Sequence, residues 1–390
     1  MSSMQLTKSK RVYLLLLILI CPIFVSLNIS TGLRFDANPF NYLGSPSIPM
    51  SLLFVLVLGL IKVTRIRMPV LVYFFLIVSS VYLICGSLFE GRARSFILFL
   101  SMSVPVLNYY IMREYFASEN NNLSPISIIY NILITVIIFK FIVDVILYGN
   151  FYSEFFILKS VVIYSYYDYF PFLYLASILL ALNYFFKAEK RFLSIVMIVI
   201  CFICIFSGHS RLYLVLSLLS VPMFIIFNFV RFRIYDAGIV SMLFVVVATL
   251  YIALNGVEGA DTSFDERFQH WQGFVRVFDW ADLFFPFSNE YRRSLTTGSF
   301  HNEYLEIFSY FGLTAFLYFF VLLKLFSSVD SEYRAVSITL LVSLTLGSLI
   351  QLNFTNPYVG IVWSIILAAM SSKDKIESRE VGRKVNEFSL

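Results

Sequence analysis

Charge is scarce in this sequence. Asp, Glu, Lys and Arg make up only 14% of its 390 residues, whereas soluble globular chains approach a quarter. With 59% of residues hydrophobic, a soluble globular enzyme is excluded and the bilayer becomes the expected solvent. Alternation of apolar and polar residues is missing as well, which excludes a transmembrane β-barrel. The four cysteines, Cys21, Cys85, Cys201 and Cys204, all fall inside apolar runs. Thiolates are disfavoured there, so the Cys201/Cys204 pair reads as packing rather than redox or metal chemistry. No His/carboxylate set has convincing metal spacing, and no bound metal is expected. No small-residue cleavage site follows the first apolar run, and Cys21 follows Ile20, so that run reads as a retained anchor. The formal charge of +5 lies in short clusters between apolar runs and gives no reason to expect a nucleic-acid partner.

What is present is a series of apolar runs, most long enough to cross a hydrocarbon core about 30 Å thick. They lie at about Val12–Leu27, Ile48–Ile61, Pro69–Leu88, Ser95–Met112, Pro125–Tyr148 and Tyr169–Phe186, then Phe192–Phe206, Leu212–Val230, Ala237–Leu254, Ile307–Leu325, Ala335–Leu352 and Tyr358–Met370. The fold class expected is all-α, a polytopic helical membrane protein of about 12 transmembrane helices forming one integral membrane domain over residues 1–390. Lys8, Lys10 and Arg11 precede the first run, and basic residues recur at every second junction. The positive-inside rule then places both termini in the cytoplasm. It puts the large loop at 255–302, between the ninth and tenth spans, on the opposite, extracytoplasmic face.

That loop is the longest polar interruption in the chain. It holds four arginines, Arg267, Arg276, Arg292 and Arg293, with seven acidic residues and no lysine. Phe264, Phe268, Trp271, Val275 and Phe278 recur at helical spacing and line one face. Arg267 borders that stripe, and Arg276 lies on the polar side with Gln269 and Gln272. The expectation is a helix lying on the membrane surface, apolar face toward lipid, with its cations at headgroup height. A guanidinium is a planar, permanently charged fork suited to phosphate oxygens. The arginine set therefore points to an anionic, lipid-linked substrate, while internal salt bridges and snorkelling compete as uses for any one of them.

Three further features carry chemistry. His301 opens the run into the tenth span, with Leu305, Phe308 and Gly312 on its face and Glu303, Glu306 and Tyr310 opposite. An imidazole there can cap a helix or serve as a general base, help worth about 10²–10⁴ in rate. Arg211 stands at the outer mouth of spans seven and eight after Ser207-Gly208-His209-Ser210, against the inside bias of basic residues, as a substrate contact or a snorkelling side chain. Lys140 and Asp144, four apart within span five, read first as a neutralising pair. Transporters concentrate charge at the membrane midplane. Here most polar chemistry lies in the loop, which favours an enzyme over a transporter.

Ser207-Gly208-His209-Ser210-Arg211, the Arg267-Phe268-Gln269-His270-Trp271 segment and His301-Asn302, nine residues, then Gly312 resemble the O-antigen polymerase/O-antigen ligase superfamily. The resemblance covers the C-terminal half by motif and the N-terminal half by hydropathy and span count. Ala315 and Val215 stand where the ligase pattern has other residues, so the resemblance leans toward the polymerases. It implies the bacterial inner membrane with a periplasmic active face, an undecaprenyl-pyrophosphate-linked glycan as donor, and a lipid-linked repeat as acceptor. It also implies a chain-length regulator protein as partner and no cofactor. His301 and Arg211 would be catalytic, with Arg267, Arg276, Arg292, Arg293, Asn302 and Trp271 as substrate-binding residues.

Overall fold

A computed structural model of the chain describes residues 66–90, 93–118, 124–148, 169–207, 211–256, 262–286, 300, 302–350, 354–355 and 357–371. Among these residues every regular element is helical. Twelve α-helices follow in order: α1 (Val70–Glu90), α2 (Ala93–Ser118), α3 (Pro125–Tyr148), α4 (Tyr169–Phe186), α5 (Arg191–Ser207), α6 (Arg211–Phe229), α7 (Ile234–Asn255), α8 (Thr262–Val277), α9 (Glu303–Phe311), α10 (Thr314–Ser327), α11 (Arg334–Gly347) and α12 (Pro357–Met370). The all-α expectation holds for them.

Among the described residues, two stretches are long and apolar enough to cross a bilayer unaided, Leu212–Phe229 and Ile234–Asn255. Counting Thr314–Ser327 and Ser331–Gly347 as one broken span, bent by 109°, adds a third. The tenth apolar run is not one continuous helix as the hydropathy predicts. It is cut between α9 and α10, because Gly312 takes φ +50° and Leu313 N–H turns to the Leu283 carbonyl at 3.0 Å. At 14 residues each, α10 and α11 rise only about 21 Å, short of a hydrocarbon core.

The chain forms two compact units. One comprises residues 1–66, 111–226 and 361–390. There α4 and α5 pack along each other across a tight turn in which Ala188 and Lys190 adopt positive φ, 60° and 48°. Against that pair lies α3, where the Tyr130 ring stacks on Tyr184 at 4.6 Å between centroids and Lys190 Nζ donates to Asn131 Oδ1 at 3.1 Å. Cys201 and Cys204 are both buried in α5.

The other unit comprises residues 67–110 and 227–360. Its spine is α7, which buries Ile234, Gly238, Ser241, Val245, Thr249 and Ala253 on one face. α11 and α8 both pack against α7, and α1 packs on α9 and α10. Small residues let the helices close in: a Cβ at Gly238 would run into the Leu323 side chain. The opposite face of α7 leaves Val240, Leu243, Phe244, Val247, Leu250 and Leu254 exposed. An apolar surface of that extent suits lipid or another apolar surface better than water.

Candidate functional site

The site grows from the helix that the loop sequence predicts. α8 covers 262–277, and its apolar stripe forms as spaced: Trp271 and Phe274 are buried in one cluster with Ala253 and Phe300, and Phe268, Val275, Phe278, Leu305, Phe308 and Leu349 pack on it. Aromatic edges meet aromatic faces through the cluster, with Phe268–Trp271 centroids at 5.2 Å and Phe274–Phe300 at 5.3 Å. Such pairs add about 0.5–1.5 kcal/mol each beyond buried area. The stripe differs from expectation in what it faces: its partners are α7, Phe300 and α9, so protein covers it. Phe264, whose side chain lies outside the described residues, is the one stripe member not placed.

Trp271 is 1% exposed, and its indole N–H donates to the Phe300 carbonyl at 2.7 Å. Phe300 N–H in turn donates to Glu306 Oε2 at 3.1 Å. Two residues on, Asn302 is the N-cap of α9 and fully buried. Its Oδ1 accepts from Leu305 N–H at 3.1 Å, and its Nδ2 donates to Thr249 Oγ1 on α7 at 3.0 Å. Both ends of the amide are thereby engaged within the protein. The sequence offers Trp271 and Asn302 as substrate contacts; in the structure both are buried, and their hydrogen bonds hold the backbone at 300 and 302.

Glu303 and Glu306 are buried in the first turns of α9, where the helix dipole favours carboxylates. Glu303 Oε2 accepts from Phe354 N–H at 2.9 Å and from the Ser348 hydroxyl, while Oε1 accepts from Thr355 N–H. Its own N–H donates to the Ser348 carbonyl at 3.0 Å. Burial pushes the Glu303 carboxyl above its ordinary value, against the pull of these donors. One carboxylate thus ties both ends of the 348–355 segment to α9. That segment carries the Ile350 carbonyl, which receives Arg267 Nη1 at 3.3 Å. Arg267 is half-buried, as its place beside the stripe predicts; Arg276 is exposed in the last turn of α8.

Gly312 closes the motif for a backbone reason. With φ +50° it ends α9, and a Cβ there would collide with the Leu283 carbonyl oxygen. The Arg267–Trp271 and Asn302–Gly312 segments, some thirty residues apart in sequence, are therefore joined through the Trp271–Phe300 bond and the turn after α11. His301, Arg292, Arg293 and the Gly208–Ser210 segment with His209 lie outside the described residues. So do the side chains of Arg211, which opens α6, and of Lys140 and Asp144 in α3.

Sequence reasoning missed Thr249, Phe274, Phe300 and the clamping roles of Glu303 and Glu306. The two acids are legible as first-turn carboxylates after an Asn cap, but their partners lie up to 52 residues away or on backbone atoms. Among the described residues, no group of three or more His, Cys, Asp or Glu side chains is placed to share a metal ion. No family model, curated protein or solved structure matches the chain.

Proposed function

We propose that this chain is a glycan polymerase of the O-antigen polymerase type, joining undecaprenyl-pyrophosphate-linked oligosaccharide repeats on the periplasmic face of a bacterial inner membrane. In this reading the chain crosses the membrane about twelve times and turns the 255–302 loop outward. The acceptor sugar hydroxyl attacks the anomeric carbon of the donor, and the bond from that carbon to the pyrophosphate oxygen breaks. His301 takes the hydroxyl proton. Arg211, Arg267, Arg276, Arg292 and Arg293 meet the charge that develops on the departing lipid pyrophosphate, the usual source of catalysis for such a leaving group. No cofactor takes part, because the donor is already activated. A chain-length regulator protein is the expected partner.

The observation that carries this reading is the joining of the Arg267 and Asn302 segments by contacts to Ser348, Ile350, Phe354 and Thr355, with Phe300 fixed by two buried hydrogen bonds and the buried Asn302 side chain by two more. General-base and phosphate-binding groups need such preorganised support. The test is complementation of a deletion strain, read on lipopolysaccharide gels. Loss of the activity leaves a single repeat on the core. His301→Ala and Arg211→Ala, inserted at normal level, give that same single-repeat pattern. Bare core with polymer retained on the carrier lipid makes the chain a ligase instead, and a normal ladder from both variants overturns the site.

A further inference from the structure

The turn after α8 inverts the pattern of the helix before it. Along α8 the large apolar side chains face the cluster, with Gln269 and Arg276 outside. From Trp280 to Phe285 the arrangement is reversed. Asp282 is buried and its carboxylate accepts Asp279 N–H at 2.9 Å, whereas Trp280 is 75% exposed and Phe284 and Phe285 are each more than half exposed. The outward apolar surface does not stop there. The hydrogen bond from Leu313 N–H to the Leu283 carbonyl brings the start of α10 alongside. Leu313, Phe316 and Phe320, spaced three and four apart, stand exposed along that helix.

Asp282 is turned inward by the capping box it forms with Asp279, and the rings this leaves outward are stable where the surroundings are apolar. A fully buried aromatic side chain covers roughly 150–250 Å², more than half of which is outward at Trp280, Phe284 and Phe285, and apolar area costs about 25 cal/mol per Å² when left in water. The polar edge of the surface is marked by exposed Arg276 and Asp279. Apolar helix stripe, then Trp, then charge is the order found on passing from hydrocarbon through headgroups to water. We propose that the Trp280–Phe285 turn is the loop's contact with the bilayer, its rings seated among phospholipid headgroups and upper acyl chains, with the Arg276 guanidinium level with the phosphates. Phospholipid is the occupant because the surface is continuous with the outward stripe of α10, one half of the bent apolar pair. This contact replaces the apolar face of α8, which protein already covers. It stands apart from the glycan-joining reading, and either can fail without the other.

The test uses the full chain in phosphatidylcholine nanodiscs whose acyl chains carry bromine either near the headgroup or near the methyl end. The chain has three tryptophans. Trp271 and Trp363 are 1% and 0% exposed, so the difference between wild type and Trp280→Phe isolates Trp280. Its emission is expected to be blue-shifted from that of aqueous tryptophan, quenched several-fold more by the shallow bromines than by the deep ones, and insensitive to acrylamide. Quenching by acrylamide alone places the turn in water, and quenching by neither means a protein or a second copy covers it; both overturn the proposal, as does stronger quenching by the deep bromines. Phe284→Trp in the Trp280→Phe background moves the reporter along the turn. It keeps the test decisive should position 280 itself disturb folding.

Discussion

Helices α7 and α8 pack against each other yet are patterned for opposite surroundings. α7 hides small and polar residues, among them Gly238, Ser241 and Thr249, and turns Leu243, Phe244 and Val247 outward. α8 hides Trp271 and Phe274 and turns Gln269 and Arg276 outward. The first pattern suits lipid, where helices gain little by burying aliphatics and much by close approach and internal hydrogen bonds. The second suits water, where the hydrophobic effect drives the large side chains in. The two patterns meet at the contact of α7 with α8, and the buried amide of Asn302 at the start of α9 is bonded to Thr249 of α7.

The largest effect expected from this contrast is at Trp271. Replacing it by Ala removes the centre of the aromatic cluster and the bond to Phe300, costing about 3–5 kcal/mol. Thermal unfolding in detergent measures the loss, and protease cleavage within 262–277 shows whether α8 has detached. A change under 1 kcal/mol breaks the view that α8 is held by its apolar face.

A charge scan sharpens the contrast next. Leu243→Lys on the outward face of α7 costs about 2.5–3.5 kcal/mol if that face meets hydrocarbon near mid-span, read as a fall in the inserted fraction. Gln269→Lys on the outward face of α8 stays within about 1 kcal/mol. Equal costs at the two positions erase the distinction between the helices.

The smallest effect concerns α9, which buries its carboxylates. Because the folded-state pKa of Glu303 is raised, the folded protein keeps the proton longer than the unfolded chain. Stability is highest below the ordinary 4.5 and falls as pH rises through the folded value. Each unit of upward shift corresponds to about 1.4 kcal/mol. Glu303→Gln removes this titration, so the stability difference between variant and wild type moves in the variant's favour as pH rises. Denaturant melts in a pH series starting near 4.5 measure the slope; parallel curves mean that Glu303 ionises as it does in the unfolded chain.

Residue by residue, legibility follows the range of the interactions. The α8 stripe is readable because helical period alone puts Phe268, Trp271, Val275 and Phe278 on one face. Asn302 followed by acids at 303 and 306 is readable as a helix start. The break at Gly312 is hidden within an uninterrupted hydropathy run, because it depends on the Leu283 carbonyl thirty residues away. The same holds for Glu303, whose acceptor role is set by backbone N–H groups at 354 and 355. Amphipathicity says that α8 has an apolar face; it is silent on whether lipid or protein fills it.

The amino-acid sequence alone determined the all-helical class, the apolar helices fit for a bilayer and the polar loop between them, because hydropathy and helical period are local properties of the chain. Tertiary structure alone decided that α9 and α10 are separate helices, that Trp271 and Asn302 brace the backbone, and that the exposed aromatic surface lies at Trp280–Phe285. Each of those outcomes rests on a contact between residues distant in sequence, and close packing selects such contacts only when all the partners are assembled.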